Sequence, residues 1–143
     1  MAFTVDCHYD HRAHVVYATF DGVLVSEQEI AELFRLLEGY VRPLRKPVYL
    51  VANFDSWRVE TEVMRQYGQA LRAFREKTQT CFAGHSADIY ARMNLRLAAV
   101  IGGVSSNLFY TPDEALGFVL RQQQLDVVAT QAVTQTSQHN SLH

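Results

Sequence analysis

Four consecutive residues, Asp55, Ser56, Trp57 and Arg58, put an acid, a hydroxyl, the chain's single tryptophan and a guanidinium directly after the apolar run Val48 to Phe54. A second cluster, His85-Ser86, follows the strand-like stretch Thr78 to Gly84, and Asp21 follows another. Imidazole, hydroxyl and carboxylate are the parts of a hydrolytic triad, whose base must lie within hydrogen-bond reach of its partners. The local sequence argues against that chemistry. A hydrolase serine sits in a G-x-S-x-G elbow, and Phe54-Asp55-Ser56-Trp57 is not one. The same residues can instead contact a ligand or a partner, and Ser56 can accept a phosphate.

Other groupings carry less. Cys7, His8, Asp10, His11 and His14 fall within eight residues and resemble a metal-ligand set. Yet Cys7 and His8 are adjacent, so an extended strand sends them to opposite faces, and the rest straddle a turn. A structural zinc site would need four ligands at characteristic spacing, so no metal is expected. The second cysteine, Cys81, is too distant to suggest a disulfide framework, and both thiols read as small buried hydrophobes. Arg65, Arg72, Arg75, Arg92 and Arg96 could form a basic face, but Glu62, Glu76 and Asp88 dilute it into an ordinary solvated surface. Nucleic-acid binding is not expected. Gly102-Gly103 follows a helix instead of joining a strand to one, so there is no phosphate loop and no cofactor is expected.

The elements that must position these residues are legible in the pattern. Residues 3–9 and 14–20 are rich in β-branched and aromatic residues and read as a hairpin, which Asp21-Gly22 then breaks. Ser26 with Glu29 opens a helix as a capping box, with Ile30, Leu33, Phe34 and Leu37 at helical spacing. Val48 to Phe54 is nearly continuously apolar, as in a central strand covered on both faces. Thr61 is expected to cap a helix carrying Val63, Tyr67, Ala70, Leu71 and Phe74. Ser86 is expected to cap a third, with Ile89, Met93, Leu97 and Val100 or Ile101 on one stripe and Gly102-Gly103 as its stop. Asn107 to Tyr110 is a short strand. Thr111-Pro112-Asp113-Glu114 then starts the last helix, with Ala115, Phe118 and Val119 inward.

The order β-β-α-β-α-β-α-β-α predicts a two-layer α/β sandwich with a mixed, mostly parallel sheet. The expected division is one domain over residues 1–129 and a flexible polar tail over 130–143. In such sheets ligands gather at the carboxyl ends of the strands. That rule brings Asp21, Asp55, Ser56, Trp57, His85 and Ser86 to one edge and makes residues 54–61 a recognition loop with Trp57 partly exposed. A chain of 143 residues suits a single core, and 48% hydrophobic with 20% charged residues is an ordinary globular mix. A net charge of −2 draws the molecule to neither nucleic acid nor anionic membrane. With no membrane span and no signal peptide in view, a cytoplasmic location is expected.

The segment from HVVYATFDGVLVSEQEIAELF to TPDEALGFVL resembles the STAS and SpoIIAA-like domains of bacteria, over about residues 3 to 122. The resemblance rests on a strand, a small Gly turn, an S-x-x-E helix, an apolar strand, a loop and a helix, closed by the final strand-to-helix turn. It implies helices mainly on one side of a mixed sheet and a non-enzymatic regulatory module that binds a protein partner or a small ligand. In the anti-sigma-factor antagonists of this group, a serine in a D-S-x-G-like turn at the start of the second helix is phosphorylated. Here Asp55-Ser56-Trp57-Arg58 lacks the glycine, and the residue nearest that position is Thr61, between two glutamates. A second branch, similar in fold to lipid-binding SEC14-type domains, implies an apolar cleft lined by Phe54, Trp57, Tyr90 and Phe109. A hydrolase using His85 with Ser56 or Asp55 is the remaining alternative. Dimerisation is compatible with the sequence, which names no surface for it.

Overall fold

A computed structural model describes residues 3–141. Strands β1 (Phe3–Asp10), β2 (Val15–Leu24), β3 (Val48–Val59), β4 (Thr80–His85) and β5 (Leu108–Phe109) form one sheet in the order β1-β2-β3-β4-β5. The hairpin β1–β2 is antiparallel and the other three pairings are parallel. Helices α1 (Glu27–Val41), α2 (Met64–Thr78) and α3 (Ile89–Gly102) connect the parallel strands, and α4 (Pro112–Ser141) ends the chain. The fold is the expected α/β sandwich with a mixed, mostly parallel sheet.

Alternation along β3 divides the core. Leu50, Ala52 and Phe54 join the cluster under α1, α2 and α3, which also holds Leu33, Leu37, Phe74 and Leu95. Tyr49 and Val51 face the other way, where Ala115 and Val119 of α4 cover them. Each large side chain so buried contributes roughly 1.5–3 kcal/mol relative to exposure, which is why the apolar run at Val48 becomes the central strand.

Local signals account for several boundaries. The Asp10 carboxylate accepts the Arg12 and Ala13 amides at 3.0 and 3.3 Å and shapes the hairpin turn. Ser26 Oγ accepts the Glu29 amide at 3.2 Å, and Glu29 reaches back to the Val25 amide at 2.9 Å. Thr111 and Glu114 make a complete capping box at 3.1 and 3.2 Å. Gly103, with φ +71°, takes the left-handed turn that ends α3.

Elsewhere the structure corrects the sequence reading. Asp21-Gly22 does not break the second strand, because Gly22 adopts φ +127° and pairing continues to Leu24. Residues 54–59 are not a loop, since they extend β3, and Ser56 to Val59 pair with Asp21 to Leu24. Thr61 begins a 3-10 turn (Thr61–Val63), and neither that turn nor α2 has a side-chain cap bond at its start. The cap of α3 is Asp88, which accepts the Tyr90 amide at 2.9 Å, and not Ser86. Helix α4 runs on through residues 130–141, where composition suggested a tail, and residues 142–143 lie outside the described residues. The apolar stripe of α3 faces solvent, while Ala91, Leu95, Ala98, Ala99 and Gly102 face the core.

Candidate functional site

Register sets the carboxyl edge of the sheet. Asn53 of β3 pairs with His85 of β4, which pairs in turn with Phe109 of β5. Between Thr19 and Asp21 the pairing of β2 with β3 shifts, so that β3 carries one residue more than its neighbour: Thr19 pairs with Asn53, but Asp21 with Ser56. In a regular strand residues three apart point to opposite faces. The extra residue reverses that parity, and Phe54 and Trp57 both enter the core.

Trp57 is therefore only 1% exposed, which overturns its expected place on a recognition loop. Its ring packs edge-on to Phe3 at 6.0 Å and tilted against Phe20 at 5.3 Å between centroids. Trp57 Nε1 is buried without a hydrogen bond of good geometry. The Tyr67 hydroxyl is nonetheless close enough for that N–H to oppose the effect of burial, which pushes the phenol up to about 12. Asp55, Ser56 and Arg58, by contrast, are exposed on the outer side of the same strand.

Around His85 most polar groups are committed to holding the β4–α3 turn. The Asp55 carboxylate accepts the Ala87 amide at 2.9 Å, and its own amide donates to Asn53 Oδ1 at 3.0 Å. Ser86 is fully buried, donates its amide to the Phe109 carbonyl at 3.0 Å and accepts the Asp88 amide on Oγ at 3.1 Å. Arg92, itself buried, donates to the Ser86 carbonyl and lays its guanidinium 3.5 Å from the centroid of the Tyr110 ring. Asn94 reaches the far end of β3, accepting the Val59 amide at 3.0 Å and donating to the Val59 carbonyl at 2.8 Å. Burial pushes the His85 imidazole below the usual histidine range, and the nearby Asp55 charge partly opposes this.

No hydrogen bond joins His85 to Ser56 or Asp55, so the nucleophile-base-acid relay is not assembled. Ser56 and Thr61, the two hydroxyls considered as phosphate acceptors, are both exposed. His14 is occupied too, with Tyr9 Oη at 2.6 Å from Nδ1 and the Pro47 carbonyl accepting from Nε2 at 2.9 Å.

The apolar cleft implied for a lipid carrier does not form from the residues expected to line it. Phe54 and Trp57 lie in the core under α1–α3, Phe109 packs with Phe118 on the opposite face, and Tyr90 is 77% exposed. An apolar cavity lined by Phe54, Tyr67, Leu71 and Leu95 holds about 40 Å3, well below the roughly 300 Å3 of small-ligand pockets. Larger depressions of about 380 to 490 Å3 are open surface grooves. Among the described residues no helix is long and apolar enough to cross a membrane.

What sequence reasoning missed is on α3. Ile89, Tyr90, Met93, Leu97, Val100 and Ile101 are between 39% and 77% exposed, and they form one continuous band along the outer side of the helix. The signal was present as helical spacing, but spacing alone does not say which face is buried. The core face uses Ala98, Ala99 and Gly102 because α2 and α3 meet backbone to backbone at Gly68 and Gly102.

No family model and no curated protein matches the chain. Among solved structures, the crystal structure of an anti-sigma factor antagonist from Mycobacterium paratuberculosis is similar, with a TM-score of 0.58. The two chains are 18% identical over 82% of this chain and 93% of the other. At that identity the likeness establishes the fold, which is STAS/SpoIIAA-like.

Proposed function

We propose, on the premise of this STAS-like fold, that the chain is a non-enzymatic regulatory module that works by binding a protein surface. The similar structure belongs to an anti-sigma factor antagonist, and the regulatory class is carried over here as a reading of that likeness. The observation that carries the proposal is the outer band of α3: six large apolar side chains, each at least 39% exposed, on one helix. Their exposed surface is roughly 700 Å2 if each whole residue counts about 200 Å2, and its apolar part reaches the 300–600 Å2 of the largest patch on a typical monomer. Patches of that size mark interaction surfaces. Asp55, Ser56 and Arg58, exposed on the carboxyl side of the sheet, supply polar contacts at the rim in this reading.

Two features favour binding over the alternatives. The hydroxyl and imidazole needed for hydrolysis are not hydrogen-bonded to each other, and the apolar cavity is too small for a lipid. Site-specific photo-crosslinking tests the proposal. A photoreactive residue in place of Leu97 is expected to give a discrete protein adduct in cells, whereas one in place of Arg35, exposed on α1, is expected to give none. Equal labelling from both positions, or none from Leu97, would refute it.

A further inference from the structure

The outer face of α3 has an internal symmetry that selects its occupant. On a helix of 3.6 residues per turn, Ile89 and Val100 lie toward one edge of the band, Tyr90 and Ile101 toward the other, and Met93 and Leu97 near its middle. These pairs are centred on Leu95, whose own side chain is buried. Turning the helix end for end about a twofold axis level with Leu95 therefore lays the band on itself. Ile89 then meets the partner's Val100, Tyr90 meets the partner's Ile101, and Met93 meets the partner's Leu97. Every exposed apolar residue of the band finds an apolar mate.

We infer that α3 is a homodimerisation helix, packing antiparallel against α3 of a second copy of this chain. The inference rests on the reading of the band as a docking surface and adds the identity of the partner. The area allows it, since the roughly 700 Å2 exposed per copy is an upper bound on what the helix contact buries, against the roughly 800 Å2 per partner of a standard stable interface. An isologous contact of this kind is also the commonest arrangement among homo-oligomers. The band holds no charge to be desolvated. Arg96 borders it, and its place beside the axis brings both copies of Arg96 to the same edge, where their repulsion opposes association. Salt screens that repulsion, so the dimer is tighter at high ionic strength, the reverse of what an acidic-rimmed partner would give.

The test combines mass with register. By sedimentation equilibrium at roughly 100 μM, well above the μM dissociation constants at the weak end for standard-size interfaces, the full chain is expected to be a dimer. Val100→Glu is expected to be a monomer with an unchanged circular dichroism spectrum, because Val100 is 77% exposed. For register, Ile89→Cys and Val100→Cys chains are made separately with Cys7→Ser and Cys81→Ser. Oxidised together they are expected to form a disulfide-linked dimer. Each alone is expected not to, since like positions lie about 15–18 Å apart along the helix axis.

A monomeric wild-type chain at that concentration would overturn the self-contact. If Leu97 still crosslinked to a different protein in cells, the binding-module reading would survive without it. A dimer untouched by Val100→Glu would also overturn it and move the interface to another face, such as the one bearing Leu125 and Val128 on α4. Crosslinking of like positions faster than of mixed ones would overturn the antiparallel register.

Discussion

Replacing Gly68 by alanine should weaken this protein although the same change usually strengthens a helix. Alanine in a helix interior is favoured over glycine by about 1 kcal/mol. At Gly68, however, a Cβ would lie 2.5 Å from Gly102 Cα and 2.7 Å from the Ala98 carbonyl oxygen. Both are backbone atoms that cannot swing aside, and carbon atoms in contact prefer about 3.5–4.0 Å. Helices α2 and α3 must then separate by about 1 Å, which forfeits a quarter to a half of the dispersion energy at their crossing. Overpacking of this kind costs about 1–3 kcal/mol. Set against the gain in propensity, the net effect is a loss of about 1 kcal/mol. Gly117→Ala in α4 is the control, because nothing lies within 4 Å of its would-be Cβ and the change should stabilise by about 0.5–1 kcal/mol. Urea unfolding followed by Trp57 fluorescence reads both as shifts of the midpoint in opposite directions. If Gly68→Ala raised the midpoint as much as Gly117→Ala, the close helix crossing would be refuted, and with it the reason why α3 turns its small residues inward.

Other consequences are simpler to check. The His85 imidazole should titrate by NMR below the 6.5 of an ordinary histidine, and Asp55→Asn should lower it further by removing the charge that raises it. Because that folded pKa is depressed, His85 stays neutral while the unfolded chain takes up a proton. Stability from this site is full above about pH 6.5, declines as pH falls below it, and stops declining once the folded imidazole is also protonated. Asn94→Ala should cost about 2 kcal/mol in urea unfolding, since it strands both the amide and the carbonyl of Val59. Cys7 and Cys81 are each pushed up to about 11, chiefly by burial, so at pH 8 alkylation of the folded chain should be much slower than of the urea-unfolded chain. Equal rates in the two states would contradict the burial of both thiols.

Element order and type were written locally. The capping boxes at Ser26 and Thr111, the left-handed glycine at Gly103 and the unbroken apolar run from Val48 act within a few residues of themselves, and the structure repeats them. Carboxyl-edge placement followed from topology and brought Asp55, Ser56 and His85 to the same edge, though not into one hydrogen-bonded group. The errors share a cause, which is that they depended on neighbours distant in sequence. Trp57 looked exposed because it follows polar Asp55 and Ser56. It is buried because the pairing with Asp21 and Gly22 gives β3 an additional residue and reverses which side chains face the core. Helix α3 is apolar on two faces, one small and one large, and helical spacing favours the large one. Only the backbone contact of Gly68 with Gly102 decides that the small face goes inward, because large side chains would not fit between helices that close. The order of strands and helices and their caps arise from contacts a few residues apart, so they can be read along the chain. Which faces those elements bury, and so which surface is left to meet a partner, was decided by tertiary packing.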